Sequence, residues 1–362
     1  GLGAQPHISL ASRVSDTRVD RQLSADEGRS HGASLAALLP VLEQELGGRS
    51  VDAVGHRVVH GGVTHTEPVR LTAEILEDLK ALEPLAPLHQ PHNLAGITAA
   101  REAFPEAMQV ACFDTAFHRS HPWVNDTFAL PRPLYDEGVR RYGFHGLSYE
   151  YICSYLKQVH PEIYKGRLVV AHLGNGASMC AIREGQSIGS TMGFTALDGL
   201  PMGTRCGQLD PGVVLYLLTT KGMSPDAVSD LLYKQSGLKG LSGISQDMRT
   251  LTQSDDPKAA EAIDYFVFRI RRELGGMAAV LSGLDTVVFT GGIGENAALV
   301  REKVCAGQEW LGLEIDPVRN EAGAEMISTD TSSINVLVIP TDEEAMIRRH
   351  TERLLGSAAA GA

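Results

Sequence analysis

The sequence predicts an α/β protein of two domains, and three observations carry that prediction. Apolar runs of strand length alternate with stretches of helical periodicity along the 362 residues, the pattern of an α/β fold. Five strand-like runs end in a polar or glycine-rich cluster. They are Gly55-His-Arg-Val-Val-His-Gly-Gly62, Phe113-Asp-Thr-Ala-Phe-His118, His172-Leu-Gly-Asn-Gly176, Phe289-Thr-Gly-Gly-Ile-Gly-Glu-Asn296 and Ile339-Pro-Thr-Asp-Glu-Glu344. Ligands of open α/β sheets sit beyond the carboxyl ends of strands. The length suits two cores, at roughly 150 residues per domain.

Taken in order, residues 1–33 are polar, with Ile8 to Leu10 the one modest strand signal. Helical periodicity covers 34–46, although Pro40 interrupts it. Residues 51–60 read as a strand ending in Gly61-Gly62. Thr72 suits the cap of an amphipathic helix with Ile75, Leu76, Leu79 and Leu82 on one face. A helix over about 94–104 leads into a strand at 109–113. Strands are expected at 168–173, 178–182 and 187–191, joined by Gly174-Asn-Gly176 and Arg183-Glu-Gly-Gln186. Helices should begin at Ser148, Asp210-Pro211 and Ser224-Pro225, the last two with a cap-then-proline signature. The longest should run from Pro257 towards Gly275, burying Ile263, Phe266, Val267 and Ile270. Residues 285–290 and 334–339 are the last strands, and 342–355 a closing helix.

The stretch Arg167-Leu-Val-Val-Ala-His-Leu-Gly-Asn-Gly-Ala-Ser178 organises the chain. A strand that stops at a glycine turn offers backbone N–H groups with no side chains in the way, as a polyphosphate requires. An ordinary meander turn fits the same residues, since Asn-Gly is also a hairpin signal. Gly291-Gly-Ile-Gly-Glu295 opens a helix, and its amides and helix N-terminus favour an anion or nucleotide. A glycine cap on a tight turn fits equally. The spacing is neither G-x-G-x-x-G nor G-x-x-x-x-G-K-[ST], which removes the Rossmann and Walker readings.

Composition excludes several classes. A net charge of −12 argues against a nucleic-acid backbone as partner. Five cysteines without a C-x-x-C pair read as reduced thiols, so a cytoplasmic location is expected. No apolar run approaches the roughly 18 residues of a membrane span, so neither a span nor a signal peptide is expected from these residues. The histidines show no H-E-x-x-H pattern, which removes a zinc site.

Among charged candidates, Arg57 lies inside an apolar strand, where a charge needs a partner or ligand. Arg205, in Pro201-Met-Gly-Thr-Arg-Cys-Gly207, is flanked by glycines that allow close approach. Each suits an anion held by a planar fork or a structural ion pair. Asp114 at a strand end suits Mg²⁺ or a polar network. His145, in Arg140-Arg-Tyr-Gly-Phe-His-Gly146, suits an electrostatic stabiliser or a satisfied core histidine.

GHRVVHGG (55–62), APLHQPHN (86–93), FDTAFH (113–118), RRYGFHG (140–146), HLGNGAS (172–178), GLPMGTRCG (199–207), FTGGIGEN (289–296) and PTDEE (340–344) together resemble the signatures of the acetate kinases. The order and spacing also resemble that family's, from about Val51 onward. The resemblance implies two related actin-like (ribonuclease H-like) ATPase domains around a nucleotide cleft, near 1–118 plus 345–362 and near 119–344. It implies reversible transfer of the ATP γ-phosphoryl group to acetate, giving acetyl phosphate and ADP, with Mg²⁺ and a homodimer. Arg57 and Arg205 would hold the acetate carboxylate and the transferring group, His145 would stabilise the same oxygens, and Asp114 would be the active-site carboxylate. Glu343 would hold Mg²⁺. His172, Leu173, Gly174, Asn175 and Gly176 would contact phosphates. Asp247, Met248 and Arg249, with Gly292, Ile293, Gly294, Glu295 and Asn296, would hold adenosine. Val59, Leu88, Phe144 and Ala196 would form the pocket for the acetate methyl group.

Departures from the family pattern set the alternatives. The chain opens Gly1-Leu-Gly-Ala, and nothing in 1–33 matches the family's opening strand and Asn-x-Gly-Ser-Ser-Ser-x-Lys turn. A first domain without that strand is therefore expected, and a nucleotide-binding module without catalysis is one alternative. Propionate kinase is the other. Asp342, Gln208 and Ala196 stand where Asn, Asp and Pro are usual.

Overall fold

The computed structural model describes residues 6–12, 15–87 and 89–360. The chain divides into two compact units, Gly1–Ala116 with Glu344–Ala362, and Phe117–Glu343.

In the first unit, β1 (His7–Ala11) and β2 (Arg18–Gln22) form an antiparallel pair. The sequence signalled only the first of these; β2, Arg-Val-Asp-Arg-Gln, has no apolar alternation. α1 (His31–Leu46) starts three residues before its apolar periodicity, because Ser30 Oγ caps it at the Ala33 N–H, and it runs through Pro40. β3 (Ala53–Val58), β4 (Val69–Arg70) and β5 (Met108–Phe113) make a sheet of order β3-β5-β4, with β3 parallel to β5. α2 (Ala73–Ala81) is capped by Thr72, whose Oγ1 accepts the Ile75 N–H at 3.2 Å. α3 (Gln90–Ala103) begins before 94, with Pro91 in its first turn. The core joins Val58, Ala111 and Phe113 of the sheet to Leu79 and Ile97 of the helices.

The second unit has a five-stranded sheet of order β10-β9-β6-β7-β8, made of β6 (Arg167–Leu173), β7 (Ala177–Arg183), β8 (Gln186–Ser190), β9 (Thr286–Thr290) and β10 (Asn335–Val338). β6, β9 and β10 are parallel, whereas β7 and β8 return as a meander. Glu184 and Gly185 both take positive φ, the geometry of a two-residue hairpin turn. α4 (Gly146–Val159) covers one face of the sheet through Tyr149, Ile152 and Leu156. Next come α5 (Pro211–Thr219), α6 (Pro225–Lys234), α7 (Met248–Thr252), α8 (Pro257–Val280), α9 (Gly291–Asn296) and α10 (Ala298–Cys305). Asp210, Ser224 and Asp256 each cap a helix that begins with proline. α8 packs on β6, β7 and β8 and does not stop near Gly275. Burial of Met277 and Ala278 offsets the roughly 1 kcal/mol that each mid-helix glycine costs. The closing helix is Glu343–Ala360.

Candidate active site

The three parallel strands of the second unit release their chains at one edge. His172 lies opposite Thr290, and Val338 opposite Phe289. The turn after β6, the helix α9 after β9 and the Thr341–Glu343 segment after β10 therefore leave the sheet side by side. The first two join α7 around a cavity of about 750 Å³. Gly174 and Asn175 come from the hairpin, Gly292, Ile293 and Asn296 from α9, and Met248 and Arg249 from α7, with Asp247 as its cap. A Cβ built on Gly292 would meet nothing within 4 Å. Asp247 Oδ1 accepts the Arg249 N–H at 3.0 Å, and its carboxylate pairs with the Arg249 guanidinium at 3.2 Å. That pair holds the Asp247 carboxyl below the usual carboxylate range.

The Asn175 turn is a meander turn that also borders the cavity. It closes the β6–β7 hairpin, with Leu173 opposite Ala177. The N-terminus of α9 is different. Glu295 Oε1 accepts the Gly291 N–H at 2.7 Å, so the chain's own carboxylate sits where an anion was expected.

Next to the hairpin stands a histidine pair. His145 takes φ +58° at the start of α4, a left-handed conformation uncommon outside glycine. Its ring stacks on His172 with centroids 4.3 Å apart. His145 Nδ1 lies 2.8 Å from Ser178 Oγ, which also bonds the Tyr149 hydroxyl. His172 Nδ1 lies 2.8 Å from Ser148 Oγ. Strand register explains the grouping. His172 and Ser178 are directly opposed on β6 and β7, on the face that Leu168, Val170, Cys180 and Ile182 turn towards α4. The first turn of α4 carries Ser148 and Tyr149 to that face.

Arg205 reaches the same hairpin. A Cβ on Gly176 would stand 3.2 Å from His145 Nε2 and 3.9 Å from Arg205 Nη1. Arg205 Nη1 donates to the Ala196 carbonyl at 3.1 Å. Burial lowers the Arg205 pKa, but a guanidinium stays charged at neutral pH. Thus a cation and an imidazole face one glycine turn.

In the first unit, β3 and β5 end together, since the Asp114 N–H donates to the Val58 carbonyl. Arg57 and Asp114 form a forked ion pair there. Val59 is buried, its N–H donating to Asn93 Oδ1 at 3.0 Å. Leu88 lies outside the described residues. Phe144 is buried in the second unit.

Compared with known families, the chain matches the Acetokinase family over residues 8–349. The chain belongs to the acetokinase family. It is 63% identical to an acetate kinase of Methylocella silvestris, over 91% of this chain and 82% of that one. The crystal structure of Porphyromonas gingivalis acetate kinase is similar at TM-score 0.85 and 37% identity, covering 97% of this chain and 90% of that one. A propionate kinase from Francisella tularensis is similar at TM-score 0.87 and 38% identity, covering 93% and 87%.

Within this acetokinase, the cavity wall takes in eight of the thirteen residues expected to hold nucleotide, namely Gly174, Asn175, Asp247, Met248, Arg249, Gly292, Ile293 and Asn296. Leu173 and Gly294 are buried behind it, and Glu295 braces α9. His172 and Gly176 belong to the histidine pair and the arginine approach. Sequence reasoning missed Ser148, Tyr149, Ser178 and Arg301. Arg301 is fully buried and donates Nη1 to the Gly294 and Glu295 carbonyls, both at 2.9 Å. Only Arg301 carried a readable signal, as a cation just past the glycine motif.

Proposed function

We propose that this chain catalyses reversible phosphoryl transfer from ATP to the carboxylate of acetate, giving acetyl phosphate and ADP. An acetate oxygen attacks the γ-phosphorus in line, the P–O bond to ADP breaks, and its electron pair leaves on the ADP oxygen. Acetate is already an anion, so no proton must be removed, and positioning with charge stabilisation supplies the rate. Arg57 binds the acetate carboxylate, and Asp114 holds the Arg57 fork in one orientation. Arg205 and the Nε2 side of His145 stabilise the oxygens of the transferring group. Val59, Leu88, Phe144 and Ala196 receive the methyl group. The cavity beside α7 and α9 takes the nucleotide. The observation that carries this reading is the approach of His145 and Arg205 to one glycine turn whose neighbours line that cavity.

Mg²⁺ fits the residues present. Among the described residues no three His, Cys, Asp or Glu side chains gather as a cage, and Mg²⁺ commonly takes one or two carboxylates with phosphate oxygens and waters. Glu343 would hold it, two residues after Thr341, whose hydroxyl is buried without a hydrogen-bond partner. When bound, the ion neutralises charge on the phosphate oxygens.

The test is acetyl phosphate formed from ATP and acetate, trapped as the hydroxamate. ADP binding without any hydroxamate would instead favour a nucleotide-binding module. Propionate kinase is the second reading, favoured by the Francisella relative. Alanine at 196 leaves more room than proline, and one methylene is worth about 1–3 kcal/mol in an apolar pocket. Ala196→Pro should lower the propionate-to-acetate ratio of kcat/KM while keeping the carbonyl that Arg205 uses. An unchanged ratio removes Ala196 from the pocket.

A cytoplasmic homodimer completes the proposal. None of the five cysteines forms a disulfide, and no helix among the described residues is long and apolar enough to cross a membrane. α5 is apolar at six of nine positions, yet none of its residues is buried, and Leu215 is 60% exposed. A helix of that composition calls for a covering surface. Light scattering should give a dimer, and Leu215→Glu a monomer.

A further inference from the structure

The residues around Glu295 carry an inference that rests on the nucleotide and Mg²⁺ reading above and deepens it. α9 has six residues, too few to hold a helical position unaided. Side chains fix it at both ends. At its C-terminal end the buried Arg301 donates to the Gly294 and Glu295 carbonyls, and its other edge is clamped on Asn320, through Nε to Oδ1 at 2.8 Å and Nη2 to the carbonyl at 2.7 Å. At its N-terminal end Glu295 folds back, and Oε1 accepts the Gly291 N–H at 2.7 Å and the Thr290 hydroxyl at 3.4 Å. The same oxygen accepts the Thr341 N–H at 3.2 Å.

That last bond joins two exits of the sheet. α9 supplies the Gly292, Ile293 and Asn296 wall of the cavity, while Thr341 begins the short run to Glu343. We propose that Glu295 is a positioning residue that locks the nucleotide wall to the Mg²⁺-carboxylate segment, so that nucleotide and Mg²⁺ binding are coupled through it. It does not touch adenosine. Its Oε1 is occupied by backbone donors of two turns, and the residue lies outside the cavity wall. What matters is an acceptor at the right reach, because both main partners are N–H groups.

The experiment measures ADP affinity by calorimetry with and without saturating Mg²⁺, in the wild type and in Glu295→Ala, Glu295→Asp, Glu295→Gln and Glu343→Gln, with thermal melting as the fold control. Glu295→Gln keeps an acceptor oxygen at the same reach, whereas Glu295→Asp keeps the charge and loses the reach. The expected result is that Ala and Asp weaken ADP about tenfold and cut the Mg²⁺ enhancement of ADP affinity several-fold, while Gln restores both. Should Glu295→Ala fail to fold, the Asp and Gln pair decides. Equal losses with and without Mg²⁺ would mean a direct nucleotide contact and overturn the coupling, as would unchanged affinity in the Asp variant. If Glu343→Gln leaves the Mg²⁺ enhancement intact, the metal reading itself fails and the coupling falls with it. An enhancement abolished by Glu343→Gln but kept in Glu295→Asp overturns the coupling alone.

Discussion

Arg57 and Asp114 meet fork to carboxylate, with Nη2 to Oδ2 at 2.8 Å and Nε to Oδ1 at 3.1 Å. The two ends of the pair live in different surroundings. The Asp114 side chain is 2% exposed and that of Arg57 41%. Removing Arg57 thus strands a buried carboxylate as well as deleting the cation proposed to bind acetate. Arg57→Ala should lower stability by about 1–3 kcal/mol, below the full cost of breaking a deeply buried pair because the arginine is half in solvent. The double variant Arg57→Ala/Asp114→Asn should regain most of that stability and none of the activity. Urea unfolding and acetyl phosphate formation check the two halves. A double variant no more stable than the single one would mean that the pair is not what Asp114 depends on.

Gly176 separates packing from conformation. Its φ is not in the left-handed region, so alanine suits the backbone, but the new Cβ would sit 3.2 Å from His145 Nε2 and near Arg205. Gly176→Ala should therefore leave the melting temperature nearly unchanged and, on the roles proposed for His145 and Arg205, lower kcat roughly 10- to 100-fold. Wild-type kcat would show that the space beside His145 is not where chemistry occurs.

A histidine pair, His118 buried and His121 partly buried, predicts the acid limb of stability. His118 Nε2–H donates to the Phe144 carbonyl at 2.9 Å, so its Nδ1 accepts from Ser187 at 2.8 Å, and Ser187 in turn accepts from His121 Nε2–H at 2.6 Å. Burial pushes the His118 pKa down to about 4 and that of His121 to about 2. Both stay neutral in the fold, while the unfolded chain takes up protons below about pH 6.5. Their stabilising contribution is complete above pH 6.5 and falls as the pH drops towards the folded values. At pH 5.5 the loss is about 1 kcal/mol for each. His121→Gln keeps a donor to Ser187 and does not titrate, so it should flatten the pH dependence of the urea midpoint. An unaltered slope between pH 7.5 and 5.5 would rule out His121 as a source.

Gln208 Oε1 accepts from both Arg269 (2.7 Å) and Arg272. A carboxylate of the same length would turn two neutral-acceptor bonds into charge-assisted ones. Gln208→Glu should stabilise the protein by about 1 kcal/mol, seen as a higher urea midpoint with an unchanged slope. A fall in the midpoint would mean that desolvating the new charge outweighs its two partners.

Much of this protein was legible in its residues. The strands at 168–173 and 285–290, the caps at Thr72, Asp210 and Ser224, and the polar clusters at the strand ends follow from periodicity and from the local chemistry of caps and turns. Those signals act within a few residues. They fail where tertiary contact decides. α8 runs on through Gly275 because Met277 and Ala278 are buried, and β2 exists because β1 pairs with it. Side-chain partners lie further out of reach. His145 finds Ser178 because β6 and β7 pair in a register that sets Ser178 opposite His172, and Glu295 finds Thr341 because β9 and β10 are parallel neighbours. A periodicity tells which face of a strand is apolar. Only the pairing of strands decides which distant residue that face will meet.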